Sequence, residues 1–167
     1  MIVKPILDEN MQYMHRDNNN LISIRDILEN YGSTILRIFY AIGGIDDDNY
    51  TFDVVEVESI KELIDKIIKT YYFPLSDKCD DLNQSYNKML ENCDIKAKKF
   101  DFRGYLEEIV EFVNKVYNVK RLSREQAKGL LIVLSVLTPA LAEQIKEDVL
   151  NLKEPLVYYS WPEKKMY

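Results

Sequence analysis

Ser123-Arg-Glu-Gln-Ala-Lys-Gly-Leu-Leu-Ile-Val-Leu-Ser-Val-Leu-Thr-Pro139 is the stretch whose reading decides the fold. Ser123 and Gln126 stand at capping-box spacing, in which the Ser side chain accepts from the backbone N–H three residues on and the Gln reaches back, satisfying two orphan donors at a helix start. From Leu130 to Leu137 the chain is apolar almost all round, and a helix with no polar face must be enclosed by others. Pro139 removes one backbone donor and crowds the carbonyl four residues back, which predicts a kink with helix resuming through about Leu150. The enclosing elements should therefore be helices.

Ser59-Ile-Lys-Glu62 repeats the capping-box spacing. It predicts a helix with an apolar stripe of Ile60, Leu63, Ile64, Ile67, Ile68 and Tyr71, stopped by Pro74. Another helix is expected from about Asp80, burying Leu82, Tyr86, Met89, Leu90 and Cys93. The next runs from about Asp101 to Asn118, with Phe102, Tyr105, Leu106, Ile109, Val113 and Val116 inward and Glu107, Glu108, Glu111 and Lys115 toward water. Nearer the N-terminus, Asn18-Asn19-Asn20 offers a capping amide to a helix carrying Leu21, Ile24, Leu28, Tyr31, Ile35, Ile38, Phe39 and Ile42 on one face, with Gly43-Gly44 as its stop. Asp46-Asp47-Asp48-Asn49 reads as a polar turn. Tyr50 to Val57, β-branched and aromatic, is the one good strand candidate; Leu156 to Trp161 is its best partner. The expectation is a mainly α protein, a single helical bundle of five or six helices with a small β-ribbon, forming one domain over residues 1–167 with a non-helical tail from about Lys153.

The composition agrees. With 167 residues and 47% hydrophobic content, the chain can bury a core without disulfides or metal. Its longest apolar run, Gly129 to Thr138, falls well short of the roughly 20 residues that span a bilayer. Residues 1–10 lack the apolar centre of a secretory signal, so the expected location is cytoplasmic. Cys79 and Cys93 read as lying on one helix about 21 Å apart, beyond the roughly 4.4–6.8 Å a disulfide bridges. They are expected to be reduced, packed thiols.

The search for chemistry returns little. His15 is the only histidine; no metal-ligand cluster or nucleophilic triad can be assembled from such sparse parts. The Asp46–Asn49 run lacks the alternating spacing of a calcium loop, and Gly43-Gly44 lacks the Lys of a phosphate loop. The reading is a protein without catalytic residues, metal, cofactor or small-molecule substrate. Charge distribution says more. Lys96 to Lys128 holds nine basic residues and five acidic ones, a local excess of four, and with a total of −6 the rest of the chain carries −10. Lys98, Lys99, Arg103, Lys120, Arg121, Arg124 and Lys128 are the candidate phosphate contacts, with Phe100, Tyr105 and Tyr117 interleaved. The competing reading is a merely solvated face.

Two stretches resemble a known family. In Ser23 to Gly44 an apolar turn, Ile27-Leu28, leads to Gly32, then Phe39 two turns on, then Gly43-Gly44. This looks like the first conserved stretch of the small helical subunit of type III-B CRISPR (Cmr) effector complexes. Leu122-Ser-Arg-Glu running on to Leu141-Ala-Glu-Gln-Ile145 is similar to that family's final helix. The resemblance implies a noncatalytic structural subunit that works in antiviral defence, stacks beside guide and target RNA, touches backbone without reading sequence, and contacts neighbouring protein subunits. It assigns no individual binding residue. The alternative is a helical protein-binding adaptor or inhibitor, of the kind a virus encodes, acting through the acidic remainder of the chain.

Overall fold

Six α-helices build the molecule in the computed structural model, which describes residues 6–8, 10, 12–21, 23–43 and 50–165. They are α1 (Ile24–Ile42), α2 (Val54–Thr70), α3 (Asn83–Lys98), α4 (Phe102–Val119), α5 (Arg124–Ser135) and α6 (Pro139–Ile145). Two very short parallel strand pairs accompany them: β1 (Ile6–Leu7) with β2 (Tyr50–Thr51), and β3 (Leu75–Ser76) with β4 (Leu122–Ser123). Parallel neighbours need a crossover; α1 supplies the first, and the α3–α4 hairpin the second. The mainly helical bundle expected from the sequence is what forms.

α5 is the centre, as its all-round apolar surface requires. Leu130, Leu131 and Val133 have no exposed surface. Ser123 caps it with both halves of the capping box made. Pro139 ends α5 outright instead of kinking it, and becomes the first residue of α6, where a missing N–H costs nothing. Side chains donate to the carbonyls around the break, beside the backbone bonds that Val133 O and Leu134 O already accept. Ser135 Oγ donates to Ile132 O at 2.7 Å, Tyr105 Oη to Val133 O at 2.7 Å, Thr138 Oγ1 to Leu134 O at 3.1 Å and Arg37 Nε to Leu137 O at 3.0 Å. Helix does resume to Leu150, its last turn, Lys146–Leu150, being π-helical.

The α3–α4 hairpin is tied to this core by apolar faces that match the sequence reading: Leu82, Tyr86, Met89, Leu90 and Cys93 are buried, as are Tyr105, Leu106, Ile109, Val113 and Val116. Cys79 lies just before a 3₁₀ turn that precedes α3, not on the same helix as Cys93; both thiols are free and buried. Asp101 caps α4, accepting from Gly104 N at 2.9 Å while pairing with Lys96 at 2.7 Å. Asp101→Ala is expected to cost about 1 kcal/mol, read as a lower urea midpoint at unchanged m-value.

Three expectations are corrected. The strand over Tyr50 to Val57 is confined to Tyr50–Thr51, and its partner is Ile6–Leu7; Leu156–Tyr158 forms a 3₁₀ turn instead. α2 begins at Val54 with Asp53 as its cap, Asp53 Oδ1 accepting from Val55 N at 2.8 Å, so Ser59 is a mid-helix residue whose hydroxyl donates back to Val55 O. No capping box forms at Ser59–Glu62, because the stripe of Val57, Ile60, Ile64 and Ile67 extends the amphipathic face one turn earlier. α1 is capped by Ser23, not by the asparagines, and Leu21 and Leu28 are exposed. Asn20 Nδ2 instead donates to Asp8 Oδ2 at 2.7 Å and, with Asn18 Nδ2, to Tyr13 O. Gly32 interrupts α1 at φ +79°, a left-handed conformation that glycine adopts without Cβ strain. Gly44 and the Asp46–Asn49 turn lie outside the described residues.

Candidate nucleic-acid interface

α4 carries the basic segment, and its length divides the candidates. Arg103 begins its first turn and Lys120 follows its last, about 25 Å away. Lys98, Lys99 and Arg103 therefore gather at one end of the hairpin, and Lys120, Arg121, Arg124 and Lys128 at the other.

Ion pairs then thin the first group, one within α3 and one across to α2. Lys98 pairs with Asp94 at 2.6 Å and Arg103 with Glu56 of α2 at 3.0 Å. Only Lys99, exposed at the end of α3, has no ion-pair partner among the described residues. Phe100 beside it is 64% exposed, and Tyr105 is fully buried with its hydroxyl committed to α5, so Tyr105 is a packing residue and not a stacking platform. Tyr117 is held edge-on against Phe73 at 5.2 Å.

The second group is more open. Arg121 pairs with Asp81, but Lys120 and Arg124 are exposed and have no ion-pair partner among the described residues. Lys120 caps α4 in the left-handed region and swings the chain into β4. β4 leads straight into α5, whose first residue is Arg124. Arg124 and Lys128 are four apart on α5 and so share a face. Lys128 is half-buried, its ammonium 4.0 Å above the centre of the Tyr159 ring.

Tyr159 belongs to the C-terminal tail, which docks on α3, α5 and α6. Leu156 N donates to Glu143 Oε1 at 2.6 Å, and the Asn87 amide grips Lys165 twice, donating to its carbonyl at 2.7 Å and accepting from its N–H at 2.6 Å. Lys164 pairs with Glu91 at 2.9 Å and Lys165 with Glu125. Between tail and helices lies a cleft of about 260 Å³, floored by Tyr86 and Gly129 and walled by Tyr159, Trp161 and Pro162. Sequence reasoning left the tail's docking open. The signal it held was the aromatic cluster Tyr158-Tyr159-Ser160-Trp161 between Pro155 and Pro162.

Glu143 is held below the usual carboxylate range, first by its hydrogen bond from Lys146 at 2.7 Å and next by the Leu156 N–H. A carboxylate depressed in the folded state stabilises above its unfolded pKa of about 4.3, and that contribution is lost as pH falls through the lower folded value. Trp161 emission is therefore expected to stay constant through neutral and mildly acid pH and to shift only below that range. Glu143→Gln, with no charge to lose, should show a smaller step on the same acid titration.

Elsewhere the chemistry is sparse. His15 is exposed, its Nδ1 accepting from Asp17 N at 3.3 Å to cap a 3₁₀ turn. Among the described residues no group of three or more His, Cys, Asp or Glu side chains is placed to hold a metal ion. No helix among them is long and apolar enough to cross a membrane.

No protein-family model matches the chain. Among solved structures, its fold is similar to part of the ternary complex of Agrobacterium radiobacter K84 agnB2 LeuRS with tRNA and LeuAMS. The TM-score is 0.77 at 10% identity, covering 96% of this chain and 23% of that one. At that identity the likeness is one of fold, and the present chain spans about a quarter of the protein it matches.

Proposed function

We propose that this chain is a noncatalytic helical module that contacts the backbone of RNA through the α4–α5 junction. The observation that carries the reading is the convergence there of Lys120, Arg121, Arg124 and Lys128, of which only Arg121 has a carboxylate partner among the described residues while Lys120 and Arg124 are exposed. Unpaired exposed cations can release counterions from phosphate without first breaking an internal ion pair. The Lys98–Arg103 end is a weaker contact, since two of its three cations are already engaged.

Two RNA partners fit such a module. The likeness of Ser23 to Gly44 to Cmr small subunits suggests guide or target RNA within a multi-subunit assembly. The fold likeness suggests tRNA, because the similar LeuRS was solved with one. The second extends over 96% of this chain, the first over two stretches of it, so tRNA is the partner to test first.

Anisotropy titrations of labelled tRNA across a salt series provide that test. Affinity is expected to fall linearly on a log–log plot with salt. Lys120→Glu combined with Arg124→Glu should weaken binding at least tenfold and reduce the slope by about 2. Arg121 is best left intact, because removing it also exposes Asp81. No binding at low salt, or binding indifferent to the double reversal, overturns the proposal.

A further inference from the structure

We infer that the cleft between α3, α5 and the C-terminal tail receives a single unstacked nucleobase, from an RNA strand whose phosphates lie on Arg124 and Lys120. The inference rests on the RNA reading above and assigns the base-binding part of it.

Four features of the cleft lead there. Its floor is a hydroxyl without a partner: Tyr86 is 2% exposed, and its Oη forms no hydrogen bond with any described residue, although it opens on the cavity. No side-chain oxygen sealed from solvent lacks a partner among the described residues, so this hydroxyl keeps its accessible surface at the cleft, where an acceptor on a ligand can take the place of water. Burial also holds this phenol up at about 12, so it remains a donor at neutral pH. Second, about 260 Å³ falls below the roughly 300–1,000 Å³ of clefts that take drug-sized ligands, and a nucleobase is a smaller, flat group. Third, the tail wall is aromatic. Tyr159 and the 37% exposed Trp161 offer π surfaces on which bases of any sequence stack.

Charge supplies the fourth. Glu125 and Glu163 stand on the lining, Glu125 already paired with Lys165. Lys128 and Lys165 stand on it too, so the lining carries no net charge and suits a neutral base better than a phosphate as the part that enters. The phosphate is placed by Arg124, one turn before Lys128 on the same face of α5. Gly129 completes the shape: with no side chain, it lets Tyr86 Oη reach the cavity, through space that a Cβ would occupy.

Trp161 is the only tryptophan in the chain; because it also borders a second cavity beside Leu90 and Ile95, a change in its fluorescence is assigned to this cleft by its dependence on Tyr86, which lines only the first. Short oligouridylate, a blunt duplex RNA of equal length, and free adenosine are the probes. Single-stranded RNA and millimolar adenosine should quench Trp161, whereas the duplex, its bases already stacked, should bind by anisotropy without quenching. Tyr86→Phe should weaken the single strand about 5-fold, the value of one hydrogen bond, and leave the duplex unchanged; Tyr159→Leu should reduce quenching with circular dichroism unaltered. If single strand and duplex bind alike and Trp161 is indifferent to both, the cleft assignment fails while the backbone-binding reading stands. If no RNA binds but adenosine quenches in a Tyr86-dependent way, the backbone reading fails and the RNA strand with it, and the cleft is a site for a free nucleoside. Absence of quenching by adenosine as well removes the cleft.

Discussion

Gln126→Leu should lower stability by about 3 kcal/mol, one of the two largest single-residue effects expected in this molecule. Leucine nearly matches glutamine in volume, so no cavity opens. The loss comes from three polar groups stranded in the core. Gln126, with no exposed surface, accepts from Ser123 N at 3.1 Å through Oε1, while its Nε2 donates to Cys79 O and to Asn83 Oδ1, both at 3.0 Å. Each stranded group costs about 1–3 kcal/mol. Asn83, at 9% exposure, can turn to water, which holds the total near the lower sum. Against a net stability of order 5–15 kcal/mol, this is a large fraction. Urea unfolding is the measurement, and a loss under about 1 kcal/mol would show that the glutamine is only a helix cap. Gln126→Glu separates the parts, since it keeps the capping acceptor and removes both donors.

That residue shows how far local reading reaches. Ser123 and Gln126 announce a helix start from spacing alone, because a capping box is a contact within one turn. Gln126's second task, fastening α5 to Cys79 and Asn83, joins residues more than forty positions away and leaves no mark in a sequence pattern. The helical faces were legible for the same local reason: the inward residues of α3 and α4 follow from a period of 3.6 and are buried as expected. Val54 to Val57 was misleading because β-branched residues are enriched in strands only where a sheet is present to receive them. Here Asp53 provides a cap, and burial of Val57 with Ile60 and Ile64 favours helix. Two-residue parallel strands are set by what folding brings alongside, not by the residues themselves.

The candidate interface was half legible. A run of charge counts acids along the chain, but Glu56 reaches Arg103 from α2 and Asp81 reaches Arg121 from the turn before α3. Both carboxylates lie outside the stretch from Lys96 to Lys128, so the linear excess overstates the free positive surface. What survives is Lys99 at one end and, at the other, Lys120 and Arg124 beside Lys128, whose importance comes from the tail folded against it. Neither Tyr159 nor Trp161 has a periodic partner that would have placed it there.

Gly129→Ala is the other large effect, and its sign depends on a residue far away in sequence. Glycine within a helix normally costs about 1 kcal/mol relative to alanine, so on propensity alone the substitution should stabilise α5. Packing opposes it. The added Cβ would overlap Tyr86 Oη and lie 2.7 Å from Cζ, and the ring cannot retreat easily, being 2% exposed and set against Phe112 at 5.7 Å. Overpacking of this kind costs about 1–3 kcal/mol and sometimes more, so the expected net change is a loss of about 2–3 kcal/mol, read from denaturant unfolding. Tyr86→Phe removes the nearest overlapping atom and should relieve part of it, the remainder persisting because Cζ stays in place. Tyr86→Leu removes the ring, and in that background Gly129→Ala should become neutral or stabilising, a coupling well above the few tenths of a kcal/mol seen between independent sites. If Gly129→Ala proved as harmful in the Tyr86→Leu background as beside the native tyrosine, the glycine would owe its place to something other than the phenol. A reversal of sign would establish that Gly129 gives up helix propensity so that the Tyr86 hydroxyl can reach the cleft floor.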